Sequence, residues 1–304
     1  MSANRGAKII LHSLERSRSH RILWLLEELR LTYEIRPYKR DATQRAPAAL
    51  KHLHPLGKAP VLSIIAPSGQ QPPLILAESA AIIEYLVDHF LPPGAEHIPG
   101  QLTLPPRWTA GRENHPAGET AAWLRYRYLM HYAEGSLMPV VVTRILMDGE
   151  APSSFLRLFL KGRCLWHGRV VQNAPAPFFV KPVLGIVPAI VNKEYTRPNL
   201  ETHFGFLEGL LEGTAGAGEA GAVAGGGGGA AAAAGAASYL AGTQFTPADI
   251  LMSYPLVIAE EIRAIDPERF PRLRGYVRGL RGMEGYRRAV RVLEEVEGQA
   301  YKPF

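Results

Sequence analysis

Apolar and polar positions change their period several times over the first ninety or so residues. Short apolar or alternating runs indicate strands, whereas repeats of three and four residues indicate helices. The resulting order is strand, helix, strand, short helix, strand, strand, helix. A parallel strand pair followed by a hairpin is the thioredoxin arrangement. The predicted elements are a strand over 8–12, a helix over 17–29, a strand over 33–38, a short helix over 46–53, strands over 61–65 and 74–76, and a helix over 78–90.

The pattern changes after Phe90. Many Pro and Gly residues indicate a linker over 93–118, and the helical period then returns and continues almost to the end of the sequence. We therefore predict an α/β domain of the thioredoxin type over 1–92 and an all-α domain over 119–304. A Gly- and Ala-rich run at 213–237 is typical of a flexible surface insertion, because a glycine run loses much backbone entropy on folding.

The sequence around Thr246 predicts the start of a buried helix. Thr246 suits the N-cap, Pro247 the first helical position and Asp249 the third, and this combination forms a capping box. Phe245 and Ile250 occupy the positions of a hydrophobic staple. We interpret this motif as structural.

Composition and charge narrow the class of protein. Hydrophobic residues make up 47% of the chain and charged residues 20%, which are globular proportions. A single cysteine, Cys164, cannot form an internal disulfide, and neither a secretory signal nor a run of about 20 apolar residues is visible, so we expect a cytoplasmic protein. The net charge of +6 comes without the aromatic or zinc-ligand patterns of nucleic-acid binding. We expect neither a nucleic-acid partner nor a metal.

The motif Gly57-Lys58-Ala59-Pro60 directly precedes the third predicted strand. A proline that opens a strand cannot donate to the sheet, and in a thioredoxin-like fold such a proline is typically cis. A cis bond there would expose the main-chain groups of Ala59 for pairing with a bound peptide. An ordinary turn with a trans proline is the alternative.

Two serine-containing segments lie at predicted helix starts. Glu78-Ser79 begins a helix, where free N–H groups and the positive end of the helix dipole favour a carboxylate. Ser17 and Ser19 lie between the first strand and the first helix, where a hydroxyl can donate to a bound thiolate. Simple N-capping is the alternative for each serine.

Together these motifs resemble the glutathione transferases, in particular the fungal and bacterial group that includes the yeast enzyme associated with the endoplasmic reticulum. The resemblance implies a thioredoxin-like domain followed by an all-helical domain, a homodimer, and glutathione as co-substrate without a metal. It covers the first ninety or so residues well and the helical half in patches. The matching segments are LERSRSHRILWLLEELRLTYEI, HPLGKAPVL, LAESAAIIEYL, HYAEGSLMP and FTPADILMSYPL.

The same resemblance implies which residues bind glutathione. Ala59, before a cis Pro60, would hold the cysteinyl part through its main chain. Glu78 and Ser79 would bind the γ-glutamyl end, and Lys58 would lie beside the peptide.

The remaining roles concern the sulfur, the glycyl end and the second substrate. Ser17 is the first choice for the hydroxyl that stabilises the thiolate, and Ser19 is its rival. Arg45 is a weaker candidate for the glycyl carboxylate. Tyr128 and Tyr132, at helical spacing, would line the cleft of the second substrate, with helix packing as the alternative.

The resemblance implies a glutathione transferase that activates the thiolate for conjugation to small hydrophobic electrophiles in detoxification, with peroxide reduction as a second reaction. The segment Ser13–His20 contains no Tyr or Cys, so cysteine-based thiol exchange is not expected. The alternative function is a non-catalytic module for binding or assembly. The apolar segment Ala176–Val191 allows peripheral contact with the endoplasmic reticulum membrane as the alternative to burial against the helical bundle.

Overall fold

The structure is a computed structural model that describes residues 3–41, 45–92, 101–148, 188–213 and 239–304. The Gly- and Ala-rich run at 213–237, apart from its first residue, lies outside these ranges. So do Cys164 and most of the apolar segment 176–191. Among the described residues, no helix is long and apolar enough to cross a membrane.

One mixed sheet of four strands forms the centre of the amino-terminal domain. Its strands are β1 (Lys8–Leu14), β2 (Tyr33–Tyr38), β3 (Val61–Ile65) and β4 (Leu74–Ala77), in the spatial order β2-β1-β3-β4. β1 and β2 are parallel, whereas β3 is antiparallel to both β1 and β4. The predicted parallel pair and hairpin, and with them the thioredoxin-like fold, are confirmed.

Two helices and a short 3-10 helix complete this domain. Helix α1 (Ser19–Glu28) and helix α2 (Ser79–Phe90) bury apolar faces, and the 3-10 helix spans Ala48–His52. The prediction that α1 begins at Ser17 with a serine N-cap is wrong. Arg18 occupies the N-cap, and no side chain caps the helix. The Ser17 hydroxyl accepts a hydrogen bond from the Ser19 amide, which is the first amide of the helix, whereas an N-cap side chain accepts from the second or third.

The remainder of the described chain is helical, as predicted, and its core is continuous with that of the first domain. Residues 101–118 are irregular but packed, since Leu102 is buried and the Thr103 amide donates to the Phe245 carbonyl over 3.0 Å. The elements are α3 (Ala121–Tyr132), a π-helical segment (Ala133–Leu137), α4 (Met138–Asp148), a second π-helical segment (Asn192–Thr196), α5 (Arg197–Glu212), α6 (Pro247–Glu261), α7 (Pro271–Gly282) and α8 (Glu284–Glu297).

The predicted capping box at the start of α6 is confirmed, and its carboxylate does more than cap. Asp249 is fully buried and accepts hydrogen bonds from the Thr246 amide over 2.8 Å and the Leu240 amide over 3.1 Å. The hydroxyl of Tyr276, on α7, donates to the same carboxylate over 2.6 Å. Asp249 therefore joins the start of α6 to the preceding loop and to the next helix.

A buried arginine of α1 connects the two domains. The Arg21 side chain is 0% exposed, and one of its guanidinium nitrogens donates to the Leu251 carbonyl of α6 over 2.9 Å. The other forms an ion pair with Glu134, in the π-helical segment after α3. Arg18 approaches the second oxygen of the same carboxylate at 3.3 Å. Burial is the main cause that lowers the pKa of Arg21, with a smaller contribution from the charge of Arg18, and Glu134 is the main group that opposes this change.

The opposite side of α1 packs closely against α8. A Cβ atom on Gly285 would lie 1.9 Å from the Glu28 Oε1 atom, so a larger residue there would displace the Glu28 carboxylate. Trp24 donates its ring N–H to the Glu28 carboxylate over 2.8 Å, and Arg288 of α8 contacts Glu27 at 3.0 Å. Helix α1 is therefore held by the carboxyl-terminal domain on two sides.

Replacing Glu134 by Ala should lower the free energy of unfolding by about 3 kcal/mol, because the Arg21 guanidinium would remain buried without a carboxylate partner. Equilibrium unfolding in urea, followed by tryptophan fluorescence, measures this loss.

The matched control is Glu84→Ala, which removes the ion pair between α2 and Arg127 of α3. Both side chains of that pair are about one-third exposed, so its loss should change the free energy of unfolding by less than about 1 kcal/mol. Equal losses in the two variants would contradict the assigned importance of the Arg21 pair.

Candidate functional site

Strand register brings the three predicted motifs to one edge of the sheet. Val61 pairs with His12 on β1 and with Ala77 on β4. The carboxyl end of β1, the amino end of β3 and the carboxyl end of β4 are therefore neighbours, at the spacing of about 4.8 Å that separates adjacent strands. The loop of Ser17, the Ala59-Pro60 bond and the start of α2 follow or precede these ends directly.

The motif before β3 has the geometry that the sequence predicts. The Ala59-Pro60 peptide bond is cis, Pro60 is buried and Lys58 is exposed. Gly57 has a φ of 58°, and a Cβ atom there would lie 2.7 Å from the Lys51 Cγ atom. Glycine is required at this turn for both reasons.

The start of α2 differs from an ordinary helix start. Glu78 occupies the N-cap with a φ of 68° and a ψ of 121°, a conformation that residues other than glycine rarely adopt. No side chain caps the helix, so Ser79 is the first helical residue and not its N-cap. Ser79 is 5% exposed. The alternative, in which Ser79 is a simple N-cap, is therefore wrong. An uncapped helix start beside a strained residue is typical of an anion site.

The two serines of the first loop are hydrogen-bonded to each other. The Ser17 hydroxyl donates to the Leu14 carbonyl over 2.6 Å, and its oxygen lies 2.8 Å from the Ser19 Oγ atom. Because the Ser17 proton is used, the Ser19 hydroxyl is the donor of the second bond. Ser19 is 1% exposed, whereas Ser17 is partly exposed. Ser17 is therefore the serine that a ligand can reach, with Ser19 behind it.

Arg40 is a residue of this edge that sequence reasoning missed. It lies two residues beyond β2, whose carboxyl end is beside that of β1. Its guanidinium donates to the Arg16 carbonyl over 3.0 Å, and its amide donates to the Glu15 carboxylate over 2.8 Å. Burial lowers its pKa, but the side chain remains cationic near neutral pH. In the sequence, Arg40 could have been recognised as a candidate by its position directly after a strand that is parallel to β1.

A buried polar network lies under the same edge. His12 Nδ1 is 3.1 Å from the Tyr38 hydroxyl and His12 Nε2 is 2.8 Å from the Ser63 hydroxyl. The three side chains belong to β1, β2 and β3, so they join the strands whose ends carry the site. Burial, and then the charge of Arg36, lowers the pKa of His12, which favours the neutral ring.

The other predicted site residues, Arg45, Tyr128 and Tyr132, have partners outside the first loop. The Arg45 amide donates to the Asp41 carboxylate over 3.0 Å, and its side chain is exposed. The hydroxyl of Tyr132 lies 2.5 Å from His203 Nδ1 on α5, and the Tyr128 ring stacks on Tyr132. These contacts favour helix packing, the alternative for the two tyrosines.

In the described part of the chain, no group of three or more His, Cys, Asp or Glu residues is placed to hold a metal ion. Arrangement and charge instead suit an anionic peptide. The cis Ala59-Pro60 bond lies between two helix starts, with the exposed Lys58 and the arginines of the first loop nearby.

Comparison with known proteins agrees with this geometry. Residues 17–89 match the family model described as glutathione S-transferase, N-terminal domain. Over 279 residues the chain is 29% identical to glutathione S-transferase 1 of Saccharomyces cerevisiae, covering 91% of this chain and 92% of the relative.

Solved structures show the same fold. A glutathione S-transferase from Actinobacillus pleuropneumoniae is 25% identical with a TM-score of 0.56, covering 96% of this chain and 94% of that one. A glutathione transferase homologue from Lodderomyces elongisporus, solved with two GSH per subunit, is 17% identical with a TM-score of 0.54. That pair covers 94% of this chain and 98% of the homologue.

Replacing Glu78 by Gly should raise the free energy of unfolding by about 1 kcal/mol, because glycine adopts a positive φ without the strain that Glu78 bears. Thermal and urea unfolding of the ligand-free protein measure this gain. Glu78→Ala is the matched control, since it removes the carboxylate but keeps the strain and should leave the stability nearly unchanged. Equal stability of the two variants would mean that the strain at Glu78 does not exceed the backbone entropy that glycine adds to the unfolded chain, and would contradict the predicted gain.

Proposed function

We propose that this chain, which belongs to the glutathione S-transferase family, binds glutathione at the described sheet edge and activates its thiolate for conjugation to small hydrophobic electrophiles. The observation that carries the proposal is the meeting of the Ser17 loop, the cis Ala59-Pro60 bond and the start of α2 at one edge. Each part supplies a different kind of contact, and together they match a tripeptide with a thiol near its middle.

The peptide contacts are assigned from the elements that carry them. The main chain of Ala59 pairs with the cysteinyl unit as an added strand would. The γ-glutamyl carboxylate is bound at the start of α2, by the Ser79 hydroxyl and the uncapped amides. Lys58 lies beside the peptide, and Arg40 joins Arg45 as a candidate for the glycyl carboxylate.

The thiolate is stabilised by Ser17 at the amino end of α1. On binding, the Ser17 hydroxyl turns from the Leu14 carbonyl to the sulfur, while the Ser19 hydroxyl continues to donate to Ser17. An ordinary thiol titrates near ~8.5, and lowering its pKa by about two units needs about 3 kcal/mol. A hydrogen bond to a charged group contributes about 1.5–3 kcal/mol and a helix start about 0.3–1 kcal/mol, which together suffice.

The reaction is then a nucleophilic substitution or addition. The thiolate lone pair forms a bond to an electrophilic carbon, and the displaced electron pair leaves with the departing group or is protonated from solvent. The protein lowers the barrier by keeping the sulfur ionised and positioned. Reduction of peroxides would use the same thiolate.

The two serine variants test the catalytic assignment. Ser17→Ala should lower kcat/KM for conjugation of a chlorodinitrobenzene-type substrate at pH 6.5 about tenfold, which corresponds to about 1.4 kcal/mol. Because the thiolate loses a donor, the midpoint of the pH profile should move up by about one unit. Ser19→Ala should have a smaller effect in the same direction.

Ser68→Ala, in an exposed turn, is the control and should behave as the unaltered protein. Unchanged turnover in both Ser17→Ala and Ser19→Ala would show that no serine of this loop activates the thiol. A larger loss in Ser19→Ala would reverse the two roles.

Ser79→Ala tests binding separately. We expect the Kd for glutathione, measured by isothermal titration calorimetry, to rise about tenfold through loss of one hydrogen bond to a carboxylate. Ser68→Ala again serves as control. Failure of the unaltered protein to bind glutathione would reject the proposed function, whereas binding without conjugation would identify a non-catalytic module.

A further inference from the structure

Residues 299–304, which we term the strap, lie against the first loop and its surroundings after α8 has ended. The Gln299 side chain reaches the Glu15 carboxylate at 3.5 Å. The Tyr301 amide donates to the Glu294 carboxylate over 3.0 Å, so the strap is also attached to α8. These contacts place the strap beside the residue at which the loop of Ser17 begins.

The strap also contacts a buried histidine in the first turn of α1. His20 follows Ser19 directly and is 2% exposed. Its ring stacks on Tyr301 with centroids 4.9 Å apart, and Tyr286 of α8 closes the other side edge-on at 4.5 Å. Burial lowers the pKa of His20 to about 3, so the ring is neutral near pH 7 and packs as an aromatic group.

A second contact joins the strap to the arginine that connects the domains. The buried Tyr254 hydroxyl, on α6, donates to the Pro303 carbonyl over 2.7 Å. The Tyr254 ring lies 5.4 Å from the Arg21 guanidinium, within range of a cation–π interaction. The strap is thus held by α6 as well as by α8.

The start of the first loop is hydrogen-bonded to β1 and to Arg40, whereas its junction with α1 has no capping side chain. Arg16 adopts a φ of 50°, and no side chain caps α1. The hydroxyl pair of Ser17 and Ser19 depends on where the first turn of α1 begins. The stack of His20 on Tyr301 holds that turn together with the contacts of Arg21. Removal of the stacking partner of His20 would therefore release the loop without touching a glutathione contact.

We propose that Tyr301 is a positioning residue for Ser17, acting through its stack on His20. The expected effect on kcat rests on the proposed function, whereas the expected effect on the order of the first loop does not. Because Ala59 and Ser79 bind the peptide independently of the strap, loosening the loop should reduce kcat and leave the KM for glutathione nearly unchanged.

The experiment combines hydrogen exchange with steady-state kinetics on three full-length variants. Tyr301→Ala removes the ring, Tyr301→Phe keeps it without the hydroxyl, and Tyr239→Ala removes a partly buried tyrosine that packs on Phe245 instead. Exchange of the amides of residues 15–21 is compared with that of β3 in the ligand-free proteins.

In Tyr301→Ala we expect amide exchange over 15–21 to accelerate about tenfold relative to β3, together with a kcat about tenfold lower and a KM for glutathione within about twofold. Tyr301→Phe should restore both values, because stacking needs only the ring. Tyr239→Ala should leave the exchange of the loop unchanged.

Unchanged exchange over 15–21 in Tyr301→Ala would overturn the proposal. So would acceleration of the same size in β3, which would mean that Tyr301 contributes to overall stability alone. If the unaltered protein does not conjugate glutathione, the proposed function fails, while the exchange measurement still decides whether Tyr301 holds the loop.

Discussion

The ion pair between Arg21 and Glu134 is the interaction on which the position of the first loop depends. A guanidinium that is completely buried is tolerated only where its partners are fixed, because desolvation is otherwise too unfavourable. Arg21 lies two residues after Ser19, so its partners in the helical domain fix the first turn of α1. A shift of α1 would separate these charges, so the ion pair holds the helix at the end of the Ser17 loop in place.

The helical domain thus contributes to a site whose predicted glutathione contacts all come from the first domain. Helix α1 is clamped between α6 and α8, with Leu251 on one side and Gly285 on the other. Inside the sheet, the hydrogen bonds of His12 join three strands under the site. One arrangement fixes the loop and the other fixes the strand ends.

Local sequence signals predicted the parts of the fold that are locally determined. The strands at 33–38 and 61–65 match the predicted bounds, and the capping box of Thr246 and Asp249 forms as expected. The start of α1 was misplaced by two residues, because a serine is an equally good cap by sequence at either position and tertiary contacts decide.

Contacts between distant residues left no such signal. Arg40 and the His12 network depend on pairings across strands, and the hydroxyl of Tyr132 finds a histidine 71 positions later. Helical spacing placed Tyr128 and Tyr132 on one face but did not show that α5 covers it. A periodic pattern shows which residues share one face of a helix, but the element that packs on this face depends on the tertiary fold.

The hairpin of β3 and β4 has a consequence for how this sequence can vary. Both strand ends that carry the site are at one edge of the sheet, so the connecting turn at 66–73 is at the opposite edge, where residues 68–73 are exposed. Changes in the length of that turn leave the register of Val61 with His12 and Ala77 intact. A change in the length of this turn therefore stays away from the site, whereas a single residue inserted between Gly57 and Pro60 would displace Lys58 and Ala59 from the neighbouring ends of β1 and β4.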